Sequence, residues 1–302
     1  MLKNNILNTI KYFDIFEYPL TAWECYHWLY GGEKTTFEDI KRELETLIEN
    51  KEVETLDGFY FLPGKDKHVE TRQRRYLIAQ LKYNIALRAV KMIRALPFIR
   101  YVAICNSLAY NNAADSSDID LFIIAKKGKL WRARFVVATI MQLLHRRPNS
   151  KTSKDKICLS FLVSDDNLNL QSLAVDDDIY LKYWITQLVP LYDPDNLQTK
   201  LIKANSWIDK DLPNHLEYKT NRFRLVTDTK TSKFFKKLLE IKFGLNFLES
   251  LLRRLQFAIL SNDLKTIANK DTRVVMTDQI LKFHSLDRRE EYRDKFKERI
   301  NE

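Results

Sequence analysis

The stretch YVAICNSLAYNNAADSSDIDLFIIA, residues 101–125, decides the expected fold of the central part of this chain. It begins with an apolar run that ends at Cys105 and closes with a second apolar run over residues 121–125. Short apolar runs bounded by polar residues are typical of strands buried on both faces. Between the two runs lies a polar loop with hydroxyl and carboxylate side chains, so the stretch predicts strand, turn, loop and strand.

Two aspartates open the second predicted strand. Asp118 and Asp120 are separated by Ile119, and alternate residues of a strand face the same side of its sheet. We therefore expect the two carboxylates to converge while Ile119 enters the core. Paired carboxylates suit Mg²⁺, which proteins usually hold with a few carboxylates and substrate phosphates. A polar loop that caps a strand without a metal is the alternative for an isolated pair of this kind.

The first strand is followed by Asn106 and Ser107, where a short helix is expected to begin. Free backbone N–H groups at a helix start accept phosphate, and a serine hydroxyl adds a further donor. We expect both residues to contact a phosphate group.

Basic residues follow the second strand, and a triphosphate needs such cations. Arg134 lies in the more apolar part of the predicted helix, so it is the expected phosphate ligand. The others fit a solvated helix face equally well; they are Lys126, Lys127, Lys129 and Arg132.

Glycine is scarce, with 6 residues among 302, and no two of them stand at G-x-G spacing. This excludes the Rossmann fingerprint and the Walker phosphate loop. The five histidines are scattered, which argues against a zinc site. Three separate cysteines, Cys25, Cys105 and Cys158, lie among apolar or aromatic residues and are expected to be reduced core thiols.

The hydrophobic patterns divide the chain into four parts and predict an α+β protein. We expect a winged-helix-like unit at 1–65, a linker helix at 66–96, an α/β domain at 97–195 and a helical region at 196–302. No signal-peptide core or membrane-spanning run is evident, so no membrane partner and a cytoplasmic location are expected.

The N-terminal unit combines three predicted helices with a hairpin around Asp57-Gly58, which is typical of a winged helix. The whole chain has a net charge of +10, which favours an anionic partner. Residues 1–65, however, carry seven basic and twelve acidic side chains, a net charge of −5. Since phosphate neutralisation supplies much of the affinity for DNA, this charge argues against DNA binding by the unit. The excess of positive charge lies in residues 66–100, at +7, and 196–302, at +8.

The order of strand, Ser107, Asp118-x-Asp120 and strand resembles the G-S … D-x-D signature of the DNA polymerase β-like nucleotidyltransferase superfamily. The motif covers 101–125 and the domain resemblance about 97–195. More loosely, the whole chain is similar to bacterial nucleotidyltransferase-domain proteins with an N-terminal winged helix. The resemblance implies a central mixed sheet with helices, phosphate binding by Ser107 and two Mg²⁺ ligands, Asp118 and Asp120.

The sequence departs from that signature at two places. Asn106 replaces the glycine of the family, although asparagine also tolerates a left-handed turn. The family's third carboxylate, a metal ligand and base, belongs on the strand that matches residues 156–163, which hold no acid. Ser160 lies near that position, and acids flank the strand at Asp155 and at 165–166.

The resemblance implies a Mg²⁺-dependent enzyme that transfers a nucleoside monophosphate from a nucleoside triphosphate to an acceptor hydroxyl. The acceptor is left open among a small molecule, a protein and an RNA end. A nucleotide-binding or regulatory protein without catalysis is the alternative that the missing acid favours, and a DNA-binding regulator is a third.

Overall fold

The computed structural model describes residues 1–148, 152–215, 224–242 and 247–301. These parts of the chain form an α+β protein with a small antiparallel sheet and a six-stranded mixed sheet, so the predicted fold class is confirmed. Among the described helices, none has the length and apolar character needed to cross a membrane.

The N-terminal unit has the three helices and the hairpin predicted for it, and a short strand before the second helix adds a third strand to the hairpin. Thr21 and Thr36 cap the second and third helices by accepting from the backbone N–H groups of Glu24 and Asp39. The hairpin turns through Asp57 and Gly58, both with positive φ, and its second strand pairs with both other strands. Its elements are α1 (Leu2–Asp14), β1 (Leu20–Thr21), α2 (Ala22–His27), α3 (Phe37–Glu49), β2 (Glu54–Leu56) and β3 (Phe59–Phe61).

A long helix, α4 (Lys67–Ile93), connects this unit to the central sheet. The sheet has the order β7-β4-β5-β6-β9-β8, in which β5 and β6 are parallel and the other neighbours antiparallel. Helices α4 and α6 cover one face, and α7 and α8 cover the other. The strands are β4 (Ile99–Ile104), β5 (Ile119–Ala125), β6 (Ile157–Ser164), β7 (Val189–Tyr192), β8 (Val274–Met276) and β9 (Ile280–Phe283). The helices between them are α5 (Asn106–Ala109), α6 (Leu130–Leu143), α7 (Ile179–Gln187) and α8 (Leu197–Ala204).

The C-terminal region is largely helical, as predicted, but it also contributes β8 and β9 to the central sheet. The sheet therefore extends beyond residue 195, the expected end of the α/β domain. This hairpin was missed because its strands have three and four residues and its turn, Thr277-Asp278-Gln279, contains no glycine. The helices of this region are α9 (Lys230–Lys242), α10 (Phe247–Ala258), α11 (Asn262–Ile267) and α12 (Arg289–Asn301).

The N-terminal unit packs against α7 and α12 through a shared aromatic core. The ring of Tyr12 stacks on that of Tyr183 at 4.4 Å between centroids and meets Phe296 edge-on at 5.6 Å. The Tyr183 hydroxyl donates to the carbonyl of Trp28 at 2.9 Å. The unit is thus fixed to the side of the domain from which α7 covers the central sheet.

Candidate active site

Asp118 and Asp120 stand at the start of β5, where the sequence places them. Ile119 between them is fully buried, and both aspartates project from the opposite face of the strand. One oxygen of each carboxylate and the sulfur of Cys158 all lie within 4.8 Å of one another. The predicted convergence of the two carboxylates is confirmed.

Asn106 forms the sharp turn that follows β4. Its φ of 56° lies in the left-handed region, which asparagine tolerates better than most residues. The carboxamide oxygen accepts from the indole N–H of Trp184 at 2.8 Å, and the same side chain hydrogen-bonds the Asp120 carboxylate. Asn106 therefore makes a left-handed turn and also orients one of the two carboxylates.

Ser107 lies in α5, directly after that turn. The helix has only four residues, too few to carry a sizeable dipole, so its start offers less to a phosphate than the sequence suggested. The cavity at the site is lined by Asn106 and Asp120 but not by Ser107 or Asp118. Phosphate binding by Ser107 stays a prediction.

Arg134 extends from α6 and is held by the C-terminal elements. Its guanidinium donates to the Gln256 side chain at 2.7 Å and lies over the ring of Phe283, 4.3 Å from the centroid. Burial and the nearby Arg147 lower the pKa of Arg134 to about 10. It lines no part of the cavity that contains Asp120, and its role as a phosphate ligand is a prediction that these contacts leave open.

The neighbouring strand β6 places a thiol beside the aspartates. Cys158 is in register with Asp120 across the parallel pair, and their side chains hydrogen-bond. This corrects the expectation for the cysteines: Cys25 and Cys105 are buried, but Cys158 belongs to the site. The sequence signal for Cys158 was its position between the core residues Ile157 and Leu159, which turns its side chain to the other face.

The carboxylates that flank β6 form hydrogen bonds with groups outside the aspartate pair. Asp155 accepts from Lys82 at 2.7 Å, and Asp165 accepts from the backbone N–H of Lys127 at 2.8 Å. Asp166 accepts from the hydroxyl of Ser164 at 2.5 Å. In the described part of the chain, the three-residue cluster at the site therefore contains two carboxylates and a thiol rather than three carboxylates.

Burial and mutual repulsion determine the charge of the two aspartates. Burial, with the neighbouring Asp118 as the second cause, raises the pKa of Asp120 to about 6. Burial also raises the pKa of Asp118, while the cations of Lys82 and Arg147 oppose this rise. Like charges held together without a counter-ion are costly, and a bound cation would relieve that cost.

Lys82 supports the loop that leads into β5. Its side chain is 1% exposed, and its ammonium donates to the carbonyls of Asp115 and Ser117 at 3.1 and 2.7 Å. The same ammonium pairs with Asp155 at 2.7 Å. A single buried cation of the linker helix thus fixes the loop immediately before Asp118.

Asp120 of the aspartate pair lines a cavity of about 340 Å³ between α7, β6 and the segment that joins β9 to α12. Its walls include stacked aromatic pairs, Phe161 with Trp184 at 5.2 Å and Tyr180 with Tyr292 at 5.3 Å. Charged side chains also line it, among them Arg288. The cavity therefore combines aromatic walls with charged side chains.

A buried ionic network holds the C-terminal wall of the cavity. Arg289 donates to Asp287 at 2.9 Å and to Asp178, the N-cap of α7, at 2.7 Å. Lys282 donates to Asp287 at 2.8 Å, and burial, with Arg289 nearby, lowers the pKa of Lys282 to about 8. These side chains tie the segment after β9 to α7, so the cavity has a defined shape.

His284 lies beside Ser160 in the wall of this cavity. The imidazole Nε2 and the serine Oγ lie 2.9 Å apart, and burial together with Lys282 lowers the pKa of His284 to about 4. The imidazole is therefore neutral near pH 7. Neither His284 nor the segment around it was expected at the site, because it follows Ser160 by 124 residues and no local pattern marks it.

The donor set fits a divalent cation through its two carboxylates, the ligands that Mg²⁺ prefers. The Cys158 thiol is a soft ligand that Mg²⁺ does not favour, so Asp118 and Asp120 are the residues that would hold it. Comparison of the chain with protein-family models, with curated proteins and with solved structures found no match.

Proposed function

We propose that the chain is a Mg²⁺-dependent nucleotidyltransferase that moves a nucleoside monophosphate from a nucleoside triphosphate to an acceptor hydroxyl. The observation that carries this proposal is the convergence of Asp118 and Asp120, within 4.8 Å, with Asp120 lining a cavity that has aromatic walls. The resemblance of residues 101–125 to the superfamily signature supports it.

Each side chain has a role in this proposal. Asp118 and Asp120 hold the cation, and Asn106 keeps the Asp120 carboxylate oriented through its carboxamide. A bound divalent cation would polarise the phosphate and stabilise the oxygens that carry charge during an in-line transfer. The aromatic rings of Trp184 and Tyr180 line the cavity, and a nucleobase of any type could stack against such rings.

Nucleotide binding without transfer is a second candidate, favoured by a specific observation. The site presents the Cys158 thiol, with Ser160 next along the same strand face, where an active enzyme of the superfamily has a third carboxylate. A thiol whose pKa is raised by burial is a poor substitute for a base that is ionised at neutral pH. In this case the cavity would bind a nucleotide and leave it intact.

The negative charge of the N-terminal unit argues against duplex DNA as the anionic partner and thereby favours a nucleotide. The outward face of α3 exposes Glu38, Glu45 and Glu49 beside Lys41 and Arg42. These acids would oppose the phosphates of a duplex in the position of a recognition helix.

Thermal unfolding with and without ligand tests the proposal. We expect Mg²⁺ together with one of ATP, CTP, GTP or UTP to raise the melting temperature of the wild-type chain, since a ligand that binds only the folded state stabilises it. The same mixture should leave an Asp118→Ala, Asp120→Ala double variant unchanged. If no nucleotide stabilises the wild type more than the double variant, the proposed site is wrong.

Pyrophosphate release separates the two candidates. Transfer predicts pyrophosphate from the stabilising nucleotide in the presence of an acceptor, and no release by the double variant. Stabilisation by the nucleotide without any release across small-molecule, protein and RNA acceptors would favour binding alone.

A further inference from the structure

A row of polar side chains runs along the wall of the cavity, from Asp120 of the aspartate pair to the C-terminal segment. Asp120 hydrogen-bonds Cys158, Cys158 contacts the hydroxyl of Ser160, and Ser160 lies 2.9 Å from the Nε2 atom of His284. All four side chains line the same cavity. A serine hydroxyl beside a neutral imidazole is the pairing that activates a nucleophile.

The local geometry of β6 turns Ser160 toward this row. The pairing of β5 with β6 is regular at Asp120 and Cys158, then shifts by one residue before Phe122 meets Phe161. Such a bulge re-aims the side chains at its centre and is common beside functional sites. Ser160 therefore lies on the side of the strand that faces the aspartates, where an alternating pattern also places Cys158.

We propose that Ser160 is itself an acceptor of the nucleotidyl group, with His284 as the base. In this step the Ser160 Oγ attacks the α-phosphorus of a bound nucleoside triphosphate, forming an oxygen–phosphorus bond. The bond from that phosphorus to the bridging oxygen of the β-phosphate breaks, and pyrophosphate leaves with the electron pair. The hydroxyl proton passes to Nε2 of His284. The inference rests on the proposed function and names the acceptor that the function leaves open.

The identity of the base distinguishes Ser160 from the other serine of the cavity. Ser285 also lines the cavity, in the loop that follows β9. It is next to His284 in the sequence and serves as the comparison for Ser160. Ser160 lies within hydrogen-bond distance of the imidazole of His284, the residue that follows β9, and β9 pairs directly with β6. General-base assistance contributes about 10²–10⁴-fold to a rate and is largest when the pKa of the base lies near the working pH, so the lowered pKa of His284 predicts the smaller value, about 10²-fold.

Mass spectrometry of the intact protein tests the inference. The purified chain is incubated with Mg²⁺ and the nucleoside triphosphate that stabilises it, and the mass is followed with time. We expect a gain of one nucleoside monophosphate, located by peptide mapping at Ser160. The gain should be absent from Ser160→Ala and slowed by about 10²-fold in His284→Gln, and Ser285→Ala should still be modified at Ser160.

Thermal shifts measured on the same samples separate this inference from the proposed function. Both Ser160→Ala and His284→Gln should retain the nucleotide-dependent rise in melting temperature, which shows that they fold and bind. A wild-type chain that is stabilised by the nucleotide but gains no mass, or gains it at another residue, would overturn the inference while the proposed function stands. A chain that is neither stabilised nor modified would overturn both.

Discussion

Asn106 forms the turn between β4 and α5, and two properties of this residue are needed there. Its φ of 56° is costly for most residues, and its carboxamide oxygen accepts the indole N–H of Trp184. Glycine would satisfy the first need only, and alanine would satisfy neither. The two needs explain why asparagine suits this turn better than glycine or alanine.

We expect Asn106→Ala to lower the free energy of unfolding by about 2–4 kcal/mol, since it adds left-handed strain and leaves the Trp184 N–H without its acceptor. Asn106→Gly should cost about 1–3 kcal/mol, because it avoids the strain and loses only the side-chain hydrogen bonds to Trp184 and Asp120. Urea titration of both variants measures the difference. Equal stabilities of the two would show that the left-handed backbone is not strained.

The raised pKa of Asp120 predicts a specific dependence of stability on pH. The folded protein binds the Asp120 proton more tightly than the unfolded chain does, because burial and Asp118 raise the pKa from 3.8 to about 6. Between these two values the folded state binds more protons, so the contribution of this group to stability falls as the pH rises. Above about pH 6 the full destabilisation is present, and below pH 4 it is absent.

Replacement of this carboxylate should therefore stabilise the metal-free protein at neutral pH. We expect Asp120→Asn to raise the free energy of unfolding by about 1–3 kcal/mol at pH 7.5, with the difference vanishing near pH 4. Denaturant titrations at several pH values check this, and Asp66→Asn, at an exposed carboxylate, should change stability by less than about 0.5 kcal/mol. A gain that is the same at every pH would mean that repulsion between the aspartates is not its cause.

Among the elements, α4 does more than link two parts of the chain. Its buried Lys82 holds two carbonyls and one carboxylate around the loop that precedes β5. Part of the positive charge predicted for the linker helix is therefore buried, at Lys82. The predicted linker helix thus holds in place the loop that leads to the candidate site.

Lys82→Met should lower the free energy of unfolding by about 2–4 kcal/mol, because it leaves buried acceptors without a donor. Lys91→Met, at an exposed position of the same helix, is the matched control and should cost less than about 0.5 kcal/mol. Chemical denaturation measures both. A cost at Lys82 no larger than at Lys91 would show that the loop does not depend on this cation.

The elements also show what local sequence can and cannot predict. The convergence of Asp118 and Asp120 was predictable because it depends on the two-residue period of one strand. The pairing of Ser160 with His284 was not, since it requires β9 to lie beside β6 and no pattern in either strand specifies that partner. The hairpin of β8 and β9 has a turn stabilised by the Thr277 hydroxyl, which accepts from the backbone N–H of Ile280, rather than by glycine. Its short strands therefore lacked the usual signal.

Across the whole molecule, one aromatic core joins the N-terminal unit to the α/β domain. Phe296 of α12 is 3% exposed and contacts the rings of Tyr12 and Tyr30, both in the N-terminal unit. The winged-helix-like order of elements was evident from the sequence, but its docking on α7 and α12 depends on residues about 170 and 280 positions away. The arrangement predicts that the unit and the domain unfold together.

Phe296→Ala should lower the free energy of unfolding by about 3–5 kcal/mol, as expected for loss of a buried aromatic ring. Leu77→Ala, at a side chain that is 67% exposed, should cost less than about 0.5 kcal/mol. Differential scanning calorimetry should show a single transition for the wild type. Separate transitions for the N-terminal unit and the rest would contradict a shared core.

Whether Asp118 and Asp120 hold a divalent cation with a nucleotide is tested most directly by titration with Mn²⁺, whose electron paramagnetic resonance signal reports the free ion. In the presence of a non-hydrolysable nucleoside triphosphate analogue, the wild-type chain should bind Mn²⁺ more tightly than the analogue does alone. The Asp118→Asn, Asp120→Asn variant, which keeps the size of both side chains, should lose this added affinity. Equal Mn²⁺ binding by the wild type and the variant would contradict the assignment of the site.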